Sequence, residues 1–278
     1  MKRLIAIELQ KVWKNKASRV LTLIYFILLC FIALIASIKF NLGNFQLHLA
    51  EMGIFNFPYI WHFNTYIASL LKFFLAIVIV SMMANEYSYG TLKQNLIDGL
   101  SKKEFIMSKF LTVGLFAFGS TVFLFVLSLI LGFSFSSYTE LGIAFSDLDY
   151  LLAYFVKLAG FFSFCLFLGI LVKRSAFAIG FLFVWWVIEN IARGLLNFQI
   201  FPNSDYGEKV MQFFPLEAMA NLIKEPFSRL SVVKTIGNQI GVENLKDYGV
   251  HWYSILIVVV WTIIFVIMSF KLLQKRDL

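Results

Sequence analysis

Long apolar segments alternate with short polar ones along this chain, and the alternation predicts its helices. Six segments hold roughly the 20 apolar residues with which one helix crosses the hydrocarbon core of a bilayer. They cover residues 18–40, 65–84, 105–133, 150–172, 175–200 and 252–273. All four prolines lie outside them, as expected of unbroken helices. The pattern predicts an all-α membrane protein with six transmembrane helices in a single domain, residues 1–278.

Residues 1–16 precede the first predicted span and carry a basic, weakly amphipathic pattern. Four apolar residues share one helical face, with the lysines on the others: Ile5, Leu9, Val12 and Trp13. This spacing predicts a helix that lies in the membrane interface. The alternative is the start of a signal peptide, but the apolar run that follows is too long for one.

We therefore expect the N-terminal segment to be retained in the mature protein. Intact-mass measurement tests this expectation. A mature chain that begins near Ser37 would contradict both the predicted interfacial helix and the topology.

Composition and charge support a membrane protein rather than a soluble one. Hydrophobic residues make up 60% of the chain, charged residues only 14%, and the mean hydropathy is +0.82. The net charge of +8 is compatible with nucleic-acid binding, but the basic residues flank the apolar segments. That placement favours a membrane surface, so no nucleic-acid partner is predicted.

The distribution of basic residues predicts the orientation. Most of the 24 Lys and Arg residues lie before the first span, between spans two and three, between spans four and five, and after the last span. Short basic segments stay on the cytoplasmic side. Both termini are therefore predicted to be cytoplasmic, in the cytoplasmic (inner) membrane. The outer loop 201–251 forms either short helices that dip onto the membrane or an ordinary loop.

Several chemistries have no motif in the chain. A phosphate-binding G-x-x-x-x-G-K-[ST] loop does not occur, so no ATP site is predicted. Cys30 and Cys165 fall inside predicted spans, where packing residues are expected. The three histidines lack metal-ligand spacing, and no protease motif occurs. The sequence predicts no catalytic site, no metal and no bound cofactor.

The polar stretch between spans two and three contains closely spaced helix signals. Thr91 with Gln94 has the spacing of a capping box, and Gly99 supplies a left-handed helix end. Ser101 with Glu104 repeats the capping pattern. The stretch therefore predicts a short helix over residues 92–98, held between two long ones.

This stretch resembles a signature of ATP-binding-cassette type 2 exporter permeases. The resemblance rests on Glu86, then Gly90-Thr91 and Leu96, followed by Ser101-Lys102 and Ser108-Lys109. In that family a short coupling helix here docks on an ATPase. The residues implied in docking are Glu86, Gly90, Thr91, Leu92, Gln94, Leu96, Asp98, Ser101 and Lys102.

Two positions depart from the family pattern. Gly99 stands where the family usually has proline, and Lys102 where it usually has arginine. Glycine still ends a helix, while lysine keeps the charge without the bidentate geometry.

The resemblance implies a permease subunit that couples ATP hydrolysis to export of a substrate. Its implied partners are two copies of a separate ATPase, which binds ATP and Mg, and a second permease chain, identical or different. The chain itself binds no cofactor. The alternative is a membrane-anchored assembly or signalling subunit with the same fold and no transported substrate.

Among the charged residues within predicted spans, four are candidates for a polar layer inside the membrane: Lys72, Lys157, Glu189 and Arg193. At ~1.5 Å per residue, both lysines and Glu189 lie at a similar depth, ~10 Å below the outer boundary. In one interpretation the lysines extend to the headgroups and Glu189 pairs with Arg193. In the other, Glu189 and at least one lysine face the interior as a polar layer, which favours an anionic substrate.

Overall fold

A computed structural model describes residues 2–38, 40–42, 45–47, 53–202, 204–229 and 247–276. Nearly all of these residues are helical. The helices are α1 (Lys2–Lys14), α2 (Lys16–Ser37), α3 (Tyr59–Leu70), α4 (Lys72–Ser88), α5 (Thr91–Ile97), α6 (Lys102–Phe135), α7 (Leu141–Ala144), α8 (Asp149–Val172), α9 (Ser175–Leu195), α10 (Tyr206–Met211), α11 (Pro215–Asn221) and α12 (Trp252–Gln274).

Three short elements complete the described structure. A π turn, Leu196–Ile200, continues α9, and a 3-10 turn covers Phe227–Arg229. Strands β1 (Phe40–Leu42) and β2 (Phe45–Leu47) form a short antiparallel hairpin between α2 and α3.

Five of the long helices are each apolar enough to cross a membrane alone: α2, α6, α8, α9 and α12. The pair α3 and α4 passes the same test together as one span bent by 45°. The prediction of a multi-pass helical membrane protein is confirmed at this level.

The second span differs most from its prediction. It covers residues 59–88 instead of 65–84, and it is broken at Leu71. There the Leu71 N–H donates to Ala68 O and the Phe74 N–H to Leu71 O, over three residues rather than four. Neither proline nor glycine marks the break, so the hydropathy pattern gave no sign of it.

Helix α8 is the centre of the bundle. It packs against α3, α4, α6, α9 and α12, and most of its side chains are buried. Small residues permit this close approach. A Cβ at Gly160 would lie 2.8 Å from Val258 of α12, and one at Gly169 would lie 3.1 Å from Met83 of α4.

The end of α12 contacts the start of α6 and the ends of α4 and α8 at one face of the bundle. Lys102, at the start of α6, donates to the Arg276 carbonyl (3.0 Å), and the Arg276 guanidinium donates to the Tyr87 hydroxyl (3.1 Å). Arg276 also donates to the Leu171 carbonyl (2.9 Å), near the end of α8. We call this the terminal face. It carries α1, α5, the α8–α9 turn and the end of α12.

The segment between α9 and α12 occupies the opposite face. Residues 203 and 230–246 of the predicted loop 201–251 lie outside the described residues. The rest contains α10 and α11, and α11 packs against α8, α9 and α12. The Met219 Cε atom would lie 3.2 Å from a Cβ at Gly160, in the third turn of α8. The described part of the segment is therefore packed on the bundle through α11.

Candidate functional site

Helix α5 is a seven-residue helix at the terminal face, bounded by two glycines with positive φ. Gly90 precedes it with φ of 67°, and Gly99 follows Asp98 with φ of 96°. Only glycine adopts this region without a steric cost, so the two glycines turn the chain at both ends of the helix. The predicted left-handed end at Gly99 is confirmed.

The predicted cap at the start of α5 is wrong. Gly90 is the N-cap residue, and no side chain caps the helix. The Thr91 hydroxyl instead donates to Glu86 Oε2 at 2.5 Å. Thr91 is therefore the first helical residue rather than the N-cap, and its hydroxyl donates to a charged acceptor, which makes a strong hydrogen bond.

The second predicted cap is confirmed. The Ser101 hydroxyl accepts from the Glu104 N–H (3.2 Å), and Glu104 Oε2 accepts from the Ser101 N–H (3.1 Å). This reciprocal pair starts α6 at Lys102.

The two sides of α5 have different surroundings. Leu92 is buried and Leu96 packs against the core, so these two predicted docking residues attach α5 to the bundle. The side chains that point away from it are Tyr89, Lys93, Gln94, Ile97 and Asp98. We call these five residues the α5 outer surface. Among them Ile97 is 75% exposed and Tyr89 is 74% exposed.

Sequence reasoning missed Tyr89 and Ile97. Tyr89 directly precedes the predicted Gly90-Thr91 pair and Ile97 lies within the predicted short helix, and only the orientation of α5 shows that they face outward. Lys102, predicted to dock, instead donates to the carbonyls of Gln274 and Arg276, so it attaches α6 to the end of α12.

Four charged side chains meet beneath α5. Lys109 of α6 is fully buried, and its Nζ lies 2.5 Å from Glu8 Oε2 and 2.5 Å from Glu86 Oε1. Lys11 Nζ lies 2.8 Å from the same Glu86 oxygen and 3.4 Å from Glu8 Oε1. We call Glu8, Lys11, Glu86 and Lys109 the four-charge cluster. It joins α1, α4 and α6, and Thr91 attaches α5 to it.

The cluster is balanced in charge, with two carboxylates and two ammonium groups. Burial lowers the pKa of Lys11, but the hydrogen bond to Glu86 and the charges of both glutamates outweigh it and raise that pKa overall. Lys11 is therefore protonated at neutral pH. Glu8 was absent from the predicted site. One feature of the sequence could have indicated Glu8: it is the one acidic residue among the first 19, in an otherwise basic segment.

Two of the charged residues predicted within spans contact α11 rather than each other. Glu189 is buried and accepts from the backbone N–H groups of Leu216 (3.1 Å) and Glu217 (3.0 Å). Lys157 is also buried, and its ammonium lies 3.4 Å from the Ala220 carbonyl near the other end of α11. A negative charge at the start of a helix and a positive charge at its end both match its dipole.

The other two charged residues have different partners. Arg193 forms an ion pair with Glu217 of α11, and Lys72 is half-buried with its ammonium 4.5 Å from the centre of the Phe161 ring. Among the residues described here, no ion pair joins Glu189 to Lys72 or Lys157. Glu189 and Lys157 face the interior, as one interpretation predicted, but α11 connects them.

Replacing Glu189 with leucine is expected to destabilise the chain by about 2–4 kcal/mol. The substitution leaves the Leu216 and Glu217 N–H groups without their acceptor, at roughly 1–3 kcal/mol for a buried unpaired group. Thermal unfolding in detergent measures the loss. Glu189→Gln, which keeps one acceptor oxygen, is the control and should lose less. Wild-type unfolding temperatures for both variants would show that the carboxylate does not hold α11.

One comparison with known proteins identifies a family. The model of a family described as a protein of unknown function (DUF2705) matches residues 26–278, so the chain belongs to this family. The match includes Glu86, Lys109 and all of α5 but begins after Glu8 and Lys11. No curated protein matches the chain.

Proposed function

We propose that this DUF2705 protein is the transmembrane subunit of an ATP-binding-cassette exporter, in which α5 docks on a separate ATPase. The observation that carries the proposal is the arrangement of α5. It is a short helix with fixed ends, attached to the bundle on one side and exposed on the other. Such a helix suits the transmission of a partner's movement to the membrane-spanning helices.

The α5 outer surface has the composition of a protein contact. Ile97 is apolar and Tyr89 is aromatic; both are three-quarters exposed and lie outside the long apolar helices. Lys93, Gln94 and Asp98 lie around them. An apolar or aromatic centre within a polar rim is typical of protein–protein interfaces. A partner would bury these side chains and leave the polar ones at the edge.

The four-charge cluster supports the rigidity that such coupling needs. A force on α5 reaches Glu86 through the Thr91 hydroxyl and through Leu92 in the core. From Glu86 it passes to α6 through Lys109 and to α1 through Lys11. Separating a buried ion pair of this kind costs several kcal/mol. We therefore expect α5 to move together with the three helices that the cluster joins, α1, α4 and α6.

The proposed assembly contains two copies of the ATPase, which binds ATP and Mg, and a second permease chain, identical or different. The terminal face is the cytoplasmic one because it collects the basic segments. The protein resides in the cytoplasmic membrane with both termini inside.

Purification of the chain from its native membrane tests the proposal. An ATP-binding-cassette ATPase is expected to co-purify, and the reconstituted complex is expected to hydrolyse ATP faster when its substrate is present. Recovery of the chain without any ATPase would contradict the proposal. A complex whose hydrolysis responds to no co-purifying molecule, and which exports none, would identify an assembly or signalling subunit instead.

A further inference from the structure

A cavity of about 290 Å³ opens at the terminal face beside α5. Its walls come from the end of α1, the start of α2, the end of α4 and the start of α5. Basic and amide side chains stand around it, namely Lys11, Lys14, Asn15 and Asn85. The cavity adjoins the four-charge cluster, and Tyr89 of the α5 outer surface forms part of its wall.

The balance of charge at the cavity favours an anionic ligand. Glu86 also lines it, but that carboxylate already binds Lys109, Lys11 and Thr91. Lys11 has three ammonium donors, of which Glu8 and Glu86 take two. Lys14 is exposed, and no described residue pairs with it. The charges left over at the cavity are therefore positive.

The remaining walls favour an amphiphile over a free ion. Val12 and Met82 are buried apolar side chains that line the cavity. Val12 lies in α1, and on the outward side of α1 the side chains of Leu9 and Trp13 are exposed, as expected of a helix at headgroup depth. A ligand that presents a phosphate to Lys14 and an apolar part to Val12 matches both kinds of wall.

We propose that this cavity binds an anionic phospholipid. Lys14 and the free donor of Lys11 contact its phosphate, while the side chains of Asn15 and Asn85 bond its polar headgroup. The upper part of an acyl chain lies against Val12 and Met82. The ligand stands between α1, α4 and the start of α5, so it braces α5 against two of the helices that the four-charge cluster joins. The site does not depend on the proposed export function.

Native mass spectrometry of the purified full chain, titrated with phosphatidylglycerol and with phosphatidylcholine, tests the site. Phosphatidylglycerol is expected to bind more tightly. Lys14→Gln is expected to weaken it about fivefold, the effect of one lysine near an anionic surface. Lys16→Gln is the matched control. Lys16 lies two residues after Lys14 and carries the same charge, but its side chain does not line the cavity.

Two further measurements are needed. One distinguishes binding in the cavity from binding elsewhere on the surface, and the other distinguishes a whole lipid from a free phosphate ester. Asn85→Phe fills the cavity without changing the charge and is expected to reduce phosphatidylglycerol binding while binding of phosphatidylcholine is unchanged. Glycerol 3-phosphate carries the headgroup chemistry without acyl chains and is expected to compete poorly. Equal binding of both lipids, or equal losses in Lys14→Gln and Lys16→Gln, would overturn the site. Strong competition by glycerol 3-phosphate would replace the lipid with a free phosphate ester.

Discussion

Replacing Lys109 with methionine is expected to lower the free energy of unfolding by about 3–5 kcal/mol, as observed when one partner of a buried ion pair is removed. Lys109 is fully buried and lies 2.5 Å from both Glu8 and Glu86. Without its ammonium group, two carboxylates remain close together with only the partly exposed Lys11 to compensate them. Methionine has a similar size, so the loss reports the charge rather than a cavity.

Thermal unfolding in detergent measures this effect against a matched control. Lys103→Met removes the same side chain from the exposed side of α6 and is expected to leave the unfolding temperature nearly unchanged. Neutralising the acids as well, in Lys109→Met with Glu8→Gln and Glu86→Gln, should recover much of the stability. If Lys109→Met unfolds at the same temperature as Lys103→Met, the cluster does not hold α1, α4 and α6 together.

Ile97→Asp is expected to abolish recovery of the ATPase with the chain. A central apolar contact in a protein interface contributes about 2 kcal/mol or more, and that corresponds to at least a roughly 30-fold loss of affinity. Ile97 is 75% exposed, so the free subunit should fold and insert normally. Quantitative recovery of the ATPase after affinity purification is the measurement, normalised to the amount of inserted chain.

Leu141→Asp is the matched control for Ile97→Asp. Leu141 is 67% exposed in α7 on the opposite face, and the substitution introduces the same charge. The sequence motif alone favoured Leu96→Asp, but Leu96 packs against the core, so that variant tests stability together with docking. Equal ATPase recovery from the Ile97 and Leu141 variants would remove α5 from the interface.

The sequence predicted the parts of the fold that local patterns determine. Hydropathy located the spans because each has to match the thickness of a bilayer, and the Ser101–Glu104 box and Gly99 were found because caps act within a few residues. The break at Leu71 was missed for the same reason. No proline or glycine marks it, and hydropathy averages across it.

The short helix α5 was predicted close to its observed position, but its contacts were not. Thr91 was expected to cap α5, yet its hydroxyl donates to Glu86, five residues earlier, across the turn at Gly90. Glu8 and Lys109 are 101 residues apart, and no local pattern connects them. The Glu189 bonds to α11 likewise bridge 27 and 28 residues. Such pairings follow from tertiary packing, so a periodicity argument cannot find them.

Photo-crosslinking from position 97 tests the central claim most directly. Ile97→benzoylphenylalanine, irradiated in intact native membranes, is expected to form a covalent adduct with an ATP-binding-cassette ATPase that mass spectrometry identifies. Leu141→benzoylphenylalanine in the same membranes should not capture it. We expect the ATPase adduct to form from position 97 and not from position 141. Reproducible capture of a different protein, or of lipid only, from position 97 would contradict it.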